Sequence, residues 1–303
     1  MRPHQRFAHE ISLLGLVLLN LGLVGCGLPT AAAGVPPPSH PQPACAPNEL
    51  QPAPTIQPGR WEVTFCNGDL PLHGWLYKPQ GNGPFKTVLY NHGSEKDPRT
   101  YLDAFSRVFL ARGYAFMAPF RRGHADSPGP YIEDQLRAAD RSAAPTLLVS
   151  LQEEQLGDQL AGYAVLQNVA FVDHQRVVVT GVSYGGIQTI LGAEANPGYR
   201  AAVDCAGAAQ TWKFSPPLQQ RLTSAVANIA IPTFLLQAAN DYDTAPSTTL
   251  AAEFERLGKP YRVQIYPSFG TGAIGAEGHS FCGTRGASQW SPDVFDFIRA
   301  ALT

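Results

Sequence analysis

A serine becomes a useful nucleophile when one group removes its proton and others receive the negative charge that develops. Gly181-Val182-Ser183-Tyr184-Gly185 offers a setting for such a serine. The string follows a β-branched run at 176–180 and opens a helix predicted over 184–195. A strand, a sharp turn and a helix in that order lift a side chain above the end of a sheet. Gly181 and Gly185 let strand and helix approach without clashing, and Gly186 adds room. The Ser183 hydroxyl then stands at a helix N-terminus, where the dipole and free amides favour negative charge. Five residues alone are weak evidence in a chain with 29 Gly, because short motifs arise by chance. The strand before and the helix after give the string its weight.

An alcohol needs a base, and one His follows Ser183: His279, in Glu277-Gly278-His279-Ser280-Phe281. It is expected in a loop between a strand at 261–265 and the last helix. His4, His9, His40 and His174 fall in the N-terminal segments or an exposed turn, and His92 reads as a residue that shapes its own loop. An acid must fix the imidazole tautomer and stabilise its cation. Asp241 and Asp243 compete in Ala239-Asn240-Asp241-Tyr242-Asp243. Asp241 comes first after the strand at 233–237 and is preferred; Asp243 is read as facing solvent or capping the next turn. The order Ser, acid, His is then satisfied. Two amides should bind the oxyanion: that of Tyr184, after the nucleophile, and that of Ser94, in Asn91-His92-Gly93-Ser94. Arg121-Arg122-Gly123-His124 faces the same end of the sheet. It could bind a substrate carboxylate, but pairing with buried acids to hold loops is favoured. Trp212, Tyr242, Phe281 and Trp290 are candidates for an apolar pocket wall.

These residues need a scaffold. From residue 59 short strands alternate with helices: strands at 60–65, 72–77, 87–91, 115–119, 176–180, 201–204, 233–237 and 261–265. Helices are predicted after Asp97-Pro98 and over 153–167, 184–195, 218–228, 247–257 and 292–302. On the 153–167 helix Leu156, Leu160, Tyr163 and Ala164 are expected to share one face. The stretch 120–152 reads as irregular, a small cap insertion. The first two strands form an antiparallel pair across Asn67-Gly68-Asp69. The rest gives the α/β class: a mostly parallel sheet of about eight strands with helices on both faces. Ligands of such sheets sit beyond the C-terminal strand ends, where Ser183, Asp241 and His279 all fall.

The N-terminus is built differently. Arg2 and Arg6 precede an uncharged run at 11–25, too short for a membrane span and suited to an export signal. The run ends in Leu23-Val24-Gly25-Cys26, which resembles a bacterial lipobox, so Cys26 is the expected lipidation site and 1–26 a lipoprotein signal peptide. An ordinary signal cut near 31–33 and an uncleaved anchor are the alternatives. Gly27 after the Cys leans towards an outer membrane in a two-membrane cell. Residues 27–58 are rich in Pro and Ala and read as a semi-rigid tether before a catalytic domain at 59–303. Removal of the signal takes away two Arg and one Glu and leaves 20 basic and 23 acidic residues. That balance carries no electrostatic footprint for nucleic acid. Export makes disulfides stable. Cys45, Cys66, Cys205 and Cys282 allow three pairings, of which Cys45–Cys66 and Cys205–Cys282 are favoured. No CxxC pair suggests a structural metal site.

Together the segments Tyr90-Asn91-His92-Gly93-Ser94-Glu95, Arg121-Arg122-Gly123-His124, Gly181-Val182-Ser183-Tyr184-Gly185-Gly186, Asn240-Asp241-Tyr242 and Gly278-His279-Ser280-Phe281 resemble the dienelactone-hydrolase-like branch of the α/β hydrolases over about 60–302. The resemblance implies an α/β-hydrolase fold and a hydrolase needing no cofactor or metal, and it places the acid at Asp241. Dienelactone hydrolases proper use Cys as nucleophile where this chain has Ser183, so their substrate is not carried over. The leading expectation is a membrane-tethered esterase acting on small-molecule carboxylic esters through an acyl-enzyme. A prolyl-oligopeptidase-type serine peptidase is an alternative, disfavoured because such enzymes usually carry an N-terminal propeller. A non-catalytic surface lipoprotein scaffold is another, disfavoured by the complete set Ser183, Asp241, His279. The sequence does not specify an oligomeric state.

Overall fold

The computed structural model describes residues 49–52 and 59–303. The signal segment with Cys26, and the tether with Cys45, lie outside the described residues except for 49–52.

Nine strands among the described residues form one sheet: β1 (Glu49–Pro52), β2 (Arg60–Asn67), β3 (Leu70–Tyr77), β4 (Phe85–Asn91), β5 (Ala115–Phe120), β6 (Val172–Val182), β7 (Tyr199–Cys205), β8 (Thr233–Ala238) and β9 (Tyr261–Tyr266). Their order is β1-β2-β3-β5-β4-β6-β7-β8-β9. The first three strands pair antiparallel, as does β3 with β5, and the six from β5 to β9 run parallel. The helices are α1 (Arg99–Leu110), α2 (Ile132–Ala138), α3 (Ala144–Leu166), α4 (Tyr184–Ala195), α5 (Pro216–Val226), α6 (Ala245–Arg256), α7 (Ala276–His279) and α8 (Ala287–Ala301). This is the α/β-hydrolase fold.

Helices α1 and α8 cover one face of the sheet, and α3, α4, α5 and α6 cover the other. The central strands are therefore apolar on both sides. Val177 and Val179 of β6 pack into the α3–α6 layer and Val178 into the α1–α8 layer. Each such buried side chain contributes roughly 1.5–3 kcal/mol. The burial fixes the register that carries Ser183 to the strand end.

Three elements depart from the sequence reading. Glu49–Pro52, read as tether, pairs with β2 from Trp61 to Thr64, so the sheet begins before residue 59. Residues 120–152 are not irregular throughout: they hold α2 and the first nine residues of α3, which begins at Ala144 with a Pro in its first turn. The face of α3 that turns inward is also polar. Gln152, Gln155, Asp158 and Gln159 are almost fully buried, whereas Ala164 is exposed and Leu156 and Leu160 are half-buried. Each of these buried side chains has a partner outside α3. Gln152 Oε1 accepts from Gln188 Nε2 of α4 at 2.7 Å, and Gln155 Oε1 from Arg121 Nε at 2.9 Å. Asp158 accepts from Asn67 Nδ2 at 2.8 Å and Arg122 Nη2 at 2.7 Å, and Gln159 donates to Tyr199 Oη at 3.2 Å. These bonds offset the cost of burying polar groups. With polar side chains on the inward face, the apolar period in the sequence reports the helix from 153 but neither its start at Ala144 nor the face that packs inward.

Candidate active site

Ser183 sits between β6 and α4 with φ 59° and ψ −121°, a conformation that is strained for any residue with a side chain. Its neighbours allow the strain. A Cβ on Gly185 would lie 1.9 Å from the Asn91 carbonyl oxygen, and one on Gly181 would lie 2.1 Å from that of Gly185. A Cβ on Gly186 would lie 2.2 Å from Asp204 Oδ1. Three glycines thus let α4 drop onto the strand ends. The Ser183 N–H donates to the Cys205 carbonyl at 3.1 Å, which holds the turn to β7.

His279 is the last residue of α7, a four-residue helix, rather than part of an irregular loop. Its Nδ1 is 2.8 Å from Asp241 Oδ1. Asp241 lies just beyond β8, is 3% exposed, and accepts a second bond on Oδ1 from the Tyr242 N–H at 2.7 Å. Asp243 does something else: its Oδ1 accepts from the Ala245 N–H at 2.8 Å and caps the first turn of α6. The acid that meets the imidazole is therefore the one nearer the strand. Asn240, which sequence reasoning passed over, braces this corner. Its Nδ2 donates to the carbonyls of Phe269 (3.0 Å) and Ala273 (2.8 Å), and its Oδ1 accepts from the Phe269 N–H (2.8 Å). Its own carbonyl accepts from the Gly275 N–H at 2.8 Å, at the entry to α7. A Cβ on Gly278 would lie 2.2 Å from that carbonyl oxygen, so only glycine lets α7 seat here.

The loop after β4 carries the other half of the site. Gly93 lies against the serine: a Cβ there would be 3.6 Å from Ser183 Cβ. The Gly93 carbonyl accepts from Arg121 Nη2 at 2.8 Å and from His92 Nδ1 at 2.9 Å. The other ring nitrogen of His92 accepts from the Arg121 N–H at 3.3 Å, so the partners fix its tautomer. Burial, and then the Arg121 charge, hold His92 well below the usual histidine range, so it is neutral. The Gly93 N–H donates to Glu95 Oε1 at 3.2 Å, and Tyr101 Oη donates to the same oxygen. Ser94 follows in this braced loop, and its carbonyl accepts from Tyr131 Oη. Tyr184 is the first residue of α4, where an N–H has no intrahelical partner.

Arg121 is fully buried. Burial lowers its pKa to about 10, opposed by the charges of Glu95 and Asp158, so it stays cationic. Its bonds to Gln155 and Gly93 make it a scaffold for the loop rather than an arm for substrate. Arg122 is the member of the pair that meets a buried acid, Asp158. His124 is also buried, its ring 4.5 Å from that of His92; burial and Arg121 push its pKa down to about 3.

Ser183, His279 and Ser94 line one cavity of about 450 Å³. Its apolar wall comes from Tyr90, Tyr101, Phe105 and Val182, and its polar rim from Glu95, Gln210, Thr284 and Arg285. The aromatic residues expected there are elsewhere. Trp212, Phe281 and Trp290 are buried in the cores beside the sheet, because each packs under a helix or turn instead of over the strand ends. Tyr242 is exposed, with its ring edge-on to His279 at 5.5 Å. Cys205 and Cys282 are joined by a disulfide, with Cα atoms 5.9 Å apart. Cys66 is disulfide-bonded as well, and Cys45 lies outside the described residues.

Residues 96–291 match the model of the dienelactone hydrolase family. The chain belongs to that family. The matched span holds Ser183, Asp241 and His279. Among curated relatives, a quorum-quenching protein, AidA, of Acinetobacter baumannii is 30% identical over 142 residues, 47% of this chain and 41% of that protein. Esterase FrsA of Escherichia coli is 28% identical over 140 residues, 46% of this chain and 29% of that protein. The chain thus spans less than half the length of either relative. Among solved structures, acetyl xylan esterase 1 of Thermoanaerobacterium sp. JW/SL YS485 superposes with a TM-score of 0.58 at 16% identity, over 84% of this chain and 88% of that one. That likeness concerns the fold. In this member of the dienelactone hydrolase family the elbow residue is Ser183, not Cys.

Proposed function

We propose that this protein is a hydrolase that cleaves carboxylic esters with Ser183 as nucleophile, His279 as general base and acid, and Asp241 as the group that orients His279. The observation that carries this reading is the buried Asp241–His279 bond of 2.8 Å beside a cavity that the strained Ser183 also lines. His279 Nε2 takes the Ser183 proton as Oγ bonds to the ester carbonyl carbon. The negative charge moves onto the carbonyl oxygen, which the Ser94 and Tyr184 N–H groups receive. Collapse expels the alcohol, protonated by His279, and leaves Ser183 acylated. Water, deprotonated by His279, attacks the acyl carbon and releases the acid and free Ser183. The Nδ1 contact to Asp241 supports the tautomer this needs, with Nε2 free to accept.

Ser183→Ala is expected to abolish turnover of short-chain p-nitrophenyl esters and labelling by a fluorophosphonate while the protein stays folded. Wild-type turnover by the variant rejects the assignment. A panel of acetyl to long-chain esters, an aryl ester, a lactone and the matching anilides sorts substrate class; faster anilide than ester cleavage rejects the ester reading.

We further propose that the enzyme works outside the cytoplasm, anchored through lipid on Cys26. The disulfide-bonded Cys66, Cys205 and Cys282 support an oxidising compartment. Labelling of the cells with a palmitate analogue should mark wild type and spare Cys26→Ala; equal labelling of both rejects the anchor.

A further inference from the structure

We infer that the Cys205–Cys282 disulfide is a positioning tie that holds the nucleophile and the base in register, an inference that rests on reading Ser183 and His279 in those roles. The two cysteines touch opposite halves of the site. Cys205 ends β7, opposite Val182 in the parallel ladder, and its carbonyl accepts the N–H of the strained Ser183 at 3.1 Å. Cys282 ends the short turn Ser280–Cys282, which follows His279 without a break, and it lines the cavity. One S–S bond therefore links the residue that supports the serine backbone to a residue three positions after the imidazole. The two are 77 residues apart in sequence.

The surrounding backbone shows why a tie is useful. Ala206 and Ala208, just after Cys205, have φ of 59° and 62°, values that residues with side chains adopt under strain. The Ala206 N–H bonds to the Leu236 carbonyl at 2.9 Å, so this segment also joins β7 to β8, the strand that leads to Asp241. On the other side, α7 has only four residues, and a helix of one turn has little stability of its own. The segment around Cys282 is packed independently of the sulfur. Phe281 is fully buried, and Trp290 Nε1 donates to the Gly283 carbonyl at 3.1 Å. The fold can therefore survive loss of the bridge while the geometry between Ser183 and His279 relaxes.

The test is the double variant Cys205→Ala/Cys282→Ala in the full chain. Its circular dichroism spectrum is expected to match wild type, with kcat lower by about 10- to 100-fold, the scale of a small misplacement of reacting groups, and KM within about twofold of wild type. If that variant does not fold, wild type is reduced in the folded state with a trialkylphosphine. The S–S bond takes up two electrons and two protons and becomes two thiols, and phosphorus takes the oxygen of one water. The fall in kcat should reverse on reoxidation. It should appear equally in a Cys66→Ala background, which assigns it to this bridge. An open bridge, verified by thiol count, with kcat unchanged overturns the inference, and so does an effect confined to KM. Activity of Ser183→Ala rejects the underlying roles instead, so the two failures are distinguishable.

Discussion

The Ser183 turn and the His279 turn meet at one cavity but are held by different physics. Around Ser183 the constraint is exclusion: Gly181, Gly185 and Gly186 leave no volume for a single extra carbon. Around His279 close packing is confined to Gly278, and most of the constraint is polar and covalent: Asn240 bonds to the 269–275 loop, Asp241 bonds to the imidazole, and the Cys205–Cys282 bridge ties the following turn to β7. A packed turn has essentially one arrangement and fails as a whole. A turn held by a few bonds can lose one and persist in a looser form. That difference predicts how each half responds to damage.

The largest effect is expected at the packed half. Gly185→Ala drives a methyl group into the Asn91 and His92 carbonyls and should prevent accumulation of folded protein, judged by soluble yield and thermal unfolding. A folded, active Gly185→Ala enzyme removes the contrast. At the bonded half, Asp241→Asn keeps the shape and changes only the chemistry. It should leave the melting temperature near wild type and lower kcat by about 10³–10⁴-fold, the loss typical when an acid no longer fixes the tautomer. Asn240→Ala should be milder, because it loosens the 269–275 loop without touching the imidazole. A loss of about 10- to 100-fold in kcat with retained secondary structure is expected, and a variant that unfolds outright would place the two turns in the same mechanical class.

The last effect, on stability and not on turnover, concerns a buried carboxyl beneath the packed half. Asp204 is almost fully buried and accepts from the Gly207 N–H at 2.9 Å, and burial pushes its pKa up to about 7. Between about pH 4 and pH 7 the folded state holds a proton that the unfolded state has released, so this group's contribution to stability falls as pH rises. Asp204→Asn removes that loss. Its unfolding free energy relative to wild type should climb with pH by at most about 1.4 kcal/mol per unit up to neutrality and then level off. Denaturant melts at pH 4, 6 and 8 check this, and a difference that is flat with pH refutes it.

The packed half was also the legible half. Glycine spacing between a β-branched strand and an apolar helix is a local signature, because steric exclusion acts over a few neighbouring residues. The sequence reading placed α4 at Tyr184–Ala195, where the structure has it. The choice of Asp241 over Asp243 also came from local position, two residues nearer the strand end. What stayed hidden was non-local. Asn240 looks like any turn Asn until its partners, about thirty residues away, are known. Helix α7 is too short for any period to show. Glu95 and Tyr101 meet only because the β4–α1 loop folds back on itself. Aromatic residues misled for a related reason. Composition signals burial without direction, and Trp212, Phe281 and Trp290 went to the cores while Tyr90, Tyr101 and Phe105 took the cavity wall.

The polar inner face of α3 has a consequence for how substrate range could change. Gln152 bonds to α4, Gln159 to β7, and Gln155 and Asp158 to the Arg121-Arg122 pair after β5, so α3 cannot rotate or slide by a residue without losing all of them together. Arg121 and Arg122, which begin the segment leading to α3, are bonded to that same face. Residues 123–132 are pinned as well, through the buried His124, Ser127 and Ile132 and the Tyr131 bond to the Ser94 carbonyl, which leaves the more exposed stretch 133–143 held between two fixed ends. A piece of chain mounted in this way can be lengthened, shortened or exchanged while its supports keep their coordinates. That makes it a replaceable mouthpiece on a constant instrument.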